Sequence, residues 1–117
     1  MPNDPPAVQV EFTPEFKRNL RALSRKYHHV RSDVEPVLEQ IRAGQFVGDR
    51  IQETRHVILK VRVRNRDSQK GKSAGYRIIY QVESQTLVVL ITIYSKLDQA
   101  DITPEQIRRI LREFDSA

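Results

Sequence analysis

Nine consecutive residues constrain this chain more than any other stretch: Thr86 to Tyr94 reads TLVVLITIY, apolar, aromatic or β-branched throughout. Successive strand residues point to opposite faces, so a strand with no polar side needs cover on both. This segment is therefore expected in the middle of a sheet that is covered on each face. It is far too short to cross a membrane, since no stretch approaches the roughly 18 apolar residues a spanning helix needs. The opening MPNDPPAVQV has neither the basic flank nor the hydrophobic run of a signal peptide, so a cytoplasmic chain is expected.

Two further runs alternate. Val57, Leu59, Val61 and Val63 oppose Ile58, Lys60, Arg62 and Arg64, and Tyr76, Ile78, Tyr80 and Val82 oppose Arg77, Ile79, Gln81 and Glu83. Each predicts a strand with one apolar face. Ser84-Gln85 makes a short turn into the Thr86 strand. Ala7 to Phe12 alternates over a shorter span and predicts a first strand. Thr13-Pro14-Glu15 then has the hydroxyl, proline and acid of a helix start, with Phe16, Leu20, Leu23 and Tyr27 as the apolar stripe. Ser32-Asp33-Val34-Glu35 has capping-box spacing and predicts a second helix closed by Gly44, with Pro36 tolerated in its first turns. Gln45 to Arg55 shows no sustained period and is expected to be a connecting loop. Thr103-Pro104-Glu105-Gln106 repeats the cap signal before Ile107, Ile110, Leu111 and Phe114. The expected architecture is α+β in the order β-α-α-β-β-β-α: a small antiparallel sheet packed by an N-terminal helical hairpin and a C-terminal helix. With 117 residues it makes a single domain over 7–117, after a loose tail, Met1 to Pro6, that holds three prolines.

The net charge is +5, and its placement says more than its size. From Arg55 to Arg77 there are eight basic side chains and one acid, Asp67, while the rest of the chain is slightly acidic. Concentrated positive charge of this kind suits a polyanion such as nucleic acid. The absence of cysteine excludes disulfides, thiolate zinc sites and thiol nucleophiles.

Lys60, Arg62 and Arg64 recur at two-residue steps, which aligns them within roughly 14 Å on one strand face, a span of two or three phosphates. An edge strand guarded by charge has the same pattern. Arg77 on the next strand, and Thr92, Tyr94 and Lys96 at the exit of the last, are expected near that face, and Lys70 and Lys72 in the loop Asn65 to Ser73 extend the basic band. Cleaving RNA by internal attack needs a group to take the 2′-hydroxyl proton, a cation for the phosphate charge and a donor for the leaving 5′-oxygen. Lysine, arginine and tyrosine supply all three. Clustered cations disfavour one another's charged forms, which makes a lysine among arginines a candidate base. The remaining constellations are weaker. Gly71-Lys72-Ser73 lacks the first glycine of a phosphate loop. His28-His29 has no third ligand at useful spacing, so no metal or other cofactor is expected. His56 is expected only to pack or solvate. Asp98, Asp101 and Glu105 are expected to face the dipole of the last helix, and Tyr76 and Tyr80 to pack in the core.

Ser73-Ala74-Gly75-Tyr76-Arg77-Ile78-Ile79-Tyr80-Gln81-Val82, followed by the apolar strand and Tyr94-Ser95-Lys96, resembles the RelE/ParE superfamily of bacterial toxins from toxin–antitoxin pairs. The resemblance covers most of the chain, element order included, and is strongest to RelE and the HigB-type toxins. It implies an mRNA interferase, an endoribonuclease that cuts messenger RNA in the ribosomal A site without a metal ion. By position, Arg77 matches the phosphate-stabilising arginine, and Lys60 and Arg62 the basic pair, with Lys60 as base. The tyrosine that orients substrate in RelE aligns with Thr103, so Tyr94 and Lys96 are expected to replace it. Arg64, Arg66, Lys70 and Lys72 are expected to bind RNA. The ParE-like branch inhibits DNA gyrase instead and lacks this nuclease set. The resemblance also implies a cognate antitoxin that covers the basic face, for which an acidic segment is suited.

Overall fold

The computed structural model describes residues 7–52, 54–66, 75–99 and 101–116. The expected tail, Lys70, Lys72 and most of the basic loop lie outside the described residues. Eight elements follow one another: β1 (Gln9–Phe12), α1 (Pro14–Lys26), α2 (Val30–Arg42), β2 (Asp49–Arg50), β3 (Ile58–Val63), β4 (Tyr76–Ser84), β5 (Leu87–Ser95) and α3 (Pro104–Ser116). The α+β class stands, with two corrections to the sheet. It is mixed, in the order β1-β5-β4-β3-β2, because β1 runs parallel to β5. The loop expected from Gln45 to Arg55 contains β2, which pairs Asp49 with Lys60 and Arg50 with Leu59. Two exposed residues cannot show a period of two, so nothing in the hydrophobic pattern marks this strand.

Strand β5 is interior but not central, the middle place being taken by β4. Its first four residues pair with β1, and beyond Leu90 the helix α1 covers its outer edge. Thr13 serves both structures: its Oγ1 accepts from Phe16 N at 3.0 Å as the expected cap and donates to the Ile91 carbonyl at 2.6 Å. Asn19 Nδ2 donates to the Ile93 carbonyl at 3.2 Å. Backbone groups left open by the short β1 are thus satisfied by side chains of α1.

The two sheet faces bury separate cores. On one, α1 and α2 cover Leu59, Val61, Val63, Ile78, Tyr80, Val88, Leu90 and Ile93. On the other, Ile107, Ile110 and Leu111 of α3 pack on Ile58, Ile79 and Ile91. One irregularity decides which side chains reach the α3 face. Ile79 pairs with Thr92 and Tyr80 with Leu90, leaving Ile91 as an extra residue in β5. Strict alternation from Val88 and Leu90 would carry Tyr94 to the α1–α2 face. The bulge shifts the parity, so Ile93 joins that core and Tyr94 is delivered to the α3 face.

Helix α2 departs from its expected start. It begins at Val30 with His29 at the N-cap and no side-chain cap bond, three residues before the capping-box reading. Pro36 consequently lies well inside the helix, at a cost of the bond its N–H would give the Ser32 carbonyl. Asp33, an acid in the first turn, is buried and accepts from the Arg66 backbone N at 3.1 Å and from Arg66 Nε. The contact ties the end of β3 to α2.

Gly48 sets the approach to β2. Its φ is +115°, and a Cβ there would stand 2.6 Å from the Lys60 carbonyl oxygen. The Tyr80 hydroxyl, donating to the Val47 carbonyl, pins the adjoining turn from the core. Gly48→Ala is expected to lower stability by on the order of 2 kcal/mol, read as a lower urea midpoint at an unchanged slope.

Candidate functional site

The α3 face of the sheet is only partly covered, and the uncovered part is where the cations gather. Arg62 on β3 pairs with Arg77 on β4, and Arg77 pairs with Tyr94 on β5. These three side chains form one row across three strands, with neighbours about 5 Å apart at Cα. Lys60 lies two residues along β3, opposite Ile79 and on the same face. Beyond β5 the chain turns back toward α3 and brings Lys96 and Asp101 alongside. The result is a cleft of about 580 Å³ whose charged lining is Asp49, Arg50, Lys60, Arg62, Arg77, Lys96 and Asp101. Five cations thus face two carboxylates.

Arg77 is the most constrained of the five. It is 7% exposed, and its Nη1 donates to the Tyr76 carbonyl at 3.1 Å. Burial, and secondarily the Arg62 guanidinium, holds it below its ordinary value. A partly desolvated, fixed guanidinium interacts with an anion more strongly than one in water. Among the described residues no carboxylate stands within ion-pair distance of Arg62 or Arg77, so an incoming phosphate meets no internal competitor there.

Asp101 organises the opposite wall. Its Oδ1 accepts from the Ile102 backbone N at 2.9 Å, from the Tyr94 hydroxyl at 3.0 Å and from Lys60 Nζ at 3.4 Å. Burial opposes ionisation, but these contacts prevail and hold its carboxyl below 3.8. The clamp on Lys60 and Tyr94 is therefore complete above about pH 4 and is lost as the pH falls through the lowered value. This corrects the expectation that Asp98 and Asp101 simply face the helix dipole, whereas Glu105 lies in the first turn of α3 as expected. Asp98 pairs with Lys26 at 2.7 Å and Glu105 with Arg108 at 3.4 Å, while Asp101 belongs to the cleft. The α3 cap itself is as expected, with Gln106 N bonding Thr103 Oγ1 and Thr103 N bonding Gln106 Oε1. The carboxylate beside Lys60 also corrects its description as a lysine surrounded only by like charges. The crowding falls on Arg77 instead.

Tyr94 is raised well above the ordinary phenol value, by burial first and by Asp101 second. It donates a hydrogen bond at neutral pH and is no base. Tyr80 is pushed up to about 12 by burial alone. The folded chain keeps these two protons where the unfolded chain loses them, so their contribution to stability is whole below pH 10.0 and declines as the pH rises through 10.0 toward 12. The phenolate absorbance of Tyr80 and Tyr94 should accordingly appear only above 10.0, in parallel with loss of stability. A single step near 10.0 would contradict these environments.

Of the residues singled out from sequence, Lys60, Arg62, Arg77 and Lys96 line the cleft, and Tyr94 reaches it through Asp101. Arg64 follows the end of β3, exposed and outside the lining. Arg66 is turned to α2 by Asp33, where it has a structural role, and lies outside the cleft lining. Thr92 faces α1, where its hydroxyl accepts from Asn19 Nδ2 at 3.0 Å. Sequence reasoning missed Arg50, Asp49 and Asp101. The first two sit on a strand without a pattern, and the third was hidden by a sufficient local explanation.

No group of three or more His, Asp or Glu side chains suited to a metal occurs among the described residues. No described helix is long and apolar enough to cross a membrane. Comparison with protein-family models finds no matching family, and comparison with curated proteins finds no relative.

Proposed function

We propose that this chain is an endoribonuclease of the RelE-like kind, which cuts messenger RNA on the ribosome as the toxin of a toxin–antitoxin pair. The observation that carries the proposal is the cross-strand row Arg62, Arg77 and Tyr94 with Lys60 beside it, of which Lys60, Arg62 and the buried Arg77 line one cleft and Tyr94 reaches it through Asp101.

In this reading the phosphodiester lies over Arg62 and Arg77. The ribose 2′-oxygen attacks phosphorus and gives up its proton, and the bond to the 5′-oxygen breaks as that oxygen takes one up. The products are a 2′,3′-cyclic phosphate and a 5′-hydroxyl. Arg77 stabilises the charge that builds on the phosphoryl oxygens. In its uncharged form Lys60, with its Nζ held by Asp101, takes the proton of the attacking hydroxyl, and the ammonium of Lys96, on the lining of the same cleft, gives one to the leaving oxygen. Tyr94 fixes Asp101 and with it the lysine. An antitoxin with an acidic segment would cover the same cations and silence the cleft, and the pair would act in the cytoplasm.

A test follows from the nucleophile. A messenger RNA carrying one 2′-deoxynucleotide immediately 5′ of a mapped cut should lose that cut and keep the others, and cut ends should carry a 5′-hydroxyl. Cleavage unaffected by the deoxy substitution would overturn the mechanism. Intact RNA together with inhibited DNA supercoiling in a gyrase reaction would replace it with the ParE-like reading.

A further inference from the structure

A second cleft opens beside the first, with Gln52 lining both. It measures about 440 Å³ and lies between α3 and the segment that leads into β3. Its floor is apolar, made by Ile58, 1% exposed, and Leu111, 8% exposed. Its rim is basic: Arg55 and His56 are exposed, and so is Arg108, whose Nη2 also meets Glu105 Oε2 at 3.4 Å. None of these side chains has a part in the cleavage step above.

An apolar floor under a cationic rim matches one chemistry closely. A nucleobase presents a flat face that tolerates aliphatic contact, and its phosphate requires positive charge. Position supports the same occupant. Ile58, Lys60 and Arg62 share one face of β3 at two-residue steps of roughly 7 Å, so the floor begins one step from Lys60 along the strand. A polynucleotide seated on Arg62 and Arg77 that continues in this direction meets the second cleft next.

We propose that the second cleft is a nucleotide subsite, holding the base of a residue adjacent to the cleaved one against Ile58 and Leu111 and its phosphate on Arg55 and Arg108. The proposal rests on the RNA-cleaving reading and adds to it a requirement for substrate beyond the scissile dinucleotide.

The test uses the full chain and non-cleavable 2′-O-methyl RNA, as a labelled hexanucleotide, in fluorescence anisotropy over a range of salt. The Arg55→Gln/Arg108→Gln variant should bind the hexanucleotide about tenfold more weakly, with a log–log salt slope shallower by about 0.7, the loss of one single-strand phosphate contact. A photoreactive base in the probe should crosslink to the peptides that contain Ile58 and Leu111. An Arg62→Gln variant reports on the first cleft. If it weakens binding while Arg55→Gln/Arg108→Gln leaves affinity and slope at parental values, the subsite is overturned and the cleavage reading stands. If neither variant alters binding, both readings fall.

Discussion

Arg77→Leu is expected to lower the rate of RNA cleavage about 100- to 1,000-fold, the range found when one fixed donor to a developing oxyanion is removed, while the protein remains as stable as the parent or becomes more so. The two halves of this expectation have one cause. Arg77 is 7% exposed, meets no carboxylate within ion-pair distance among the described residues, and stands beside a second guanidinium, Arg62. Burying such a charge costs folding free energy, and an apolar side chain of similar girth removes the cost. The contact given up is the one from Nη1 to the Tyr76 carbonyl. A residue kept for packing would show the opposite pattern, with stability lost and the rate per folded molecule retained. Urea unfolding and cleavage rates from one preparation decide between them.

Arg66→Ala is expected to do the reverse: to cost about 3 kcal/mol of stability and leave the rate per folded molecule unchanged. The Asp33 side chain is 1% exposed, and without the guanidinium its carboxylate keeps, among the described residues, the Arg66 backbone N. The Arg66 side chain is 57% exposed, which sets the cost at the lower end for buried pairs, since water partly supports it. The asymmetry gives a sharper check than the single value. Removing the buried carboxylate as well should recover stability, so Asp33→Ala/Arg66→Ala is expected to be more stable than Arg66→Ala alone. A double variant less stable than the single one would show that the pair itself, and not the stranded charge, holds β3 to α2.

The strands and helices that carry many apolar residues were legible because their periods are long enough to read. Val57 to Val63 and Tyr76 to Val82 alternate, α1 and α3 present Thr-Pro-Glu caps, and Lys60, Arg62 and Arg77 fall on the polar positions of their strands. Where the expectation failed, a local pattern had two physical meanings. Ser32-Asp33-Val34-Glu35 has the spacing of a capping box, yet Ser32 Oγ donates to the His29 carbonyl, Glu35 pairs with Arg42, and the helix starts earlier. Asp101 was explained by the nearby helix start, yet Lys60 claims it from 41 residues away. Tyr94 was placed near the cleft without the reason it gets there, which is the extra residue at Ile91. A bulge within an all-apolar strand leaves no mark on hydrophobicity, because every position suits either face. The parallel pairing of β1 was equally invisible, since alternation is the same in either direction.

The cleft's assignment is tested most directly by primer-extension mapping of messenger RNA on stalled ribosomes, with the parent protein and with Arg77→Leu at equal folded content. New cuts within the A-site codon, absent with Arg77→Leu, are the expected result. Uncut messenger RNA in both reactions, or the same cuts at the same rate from Arg77→Leu, would contradict a catalytic cleft built around Arg77.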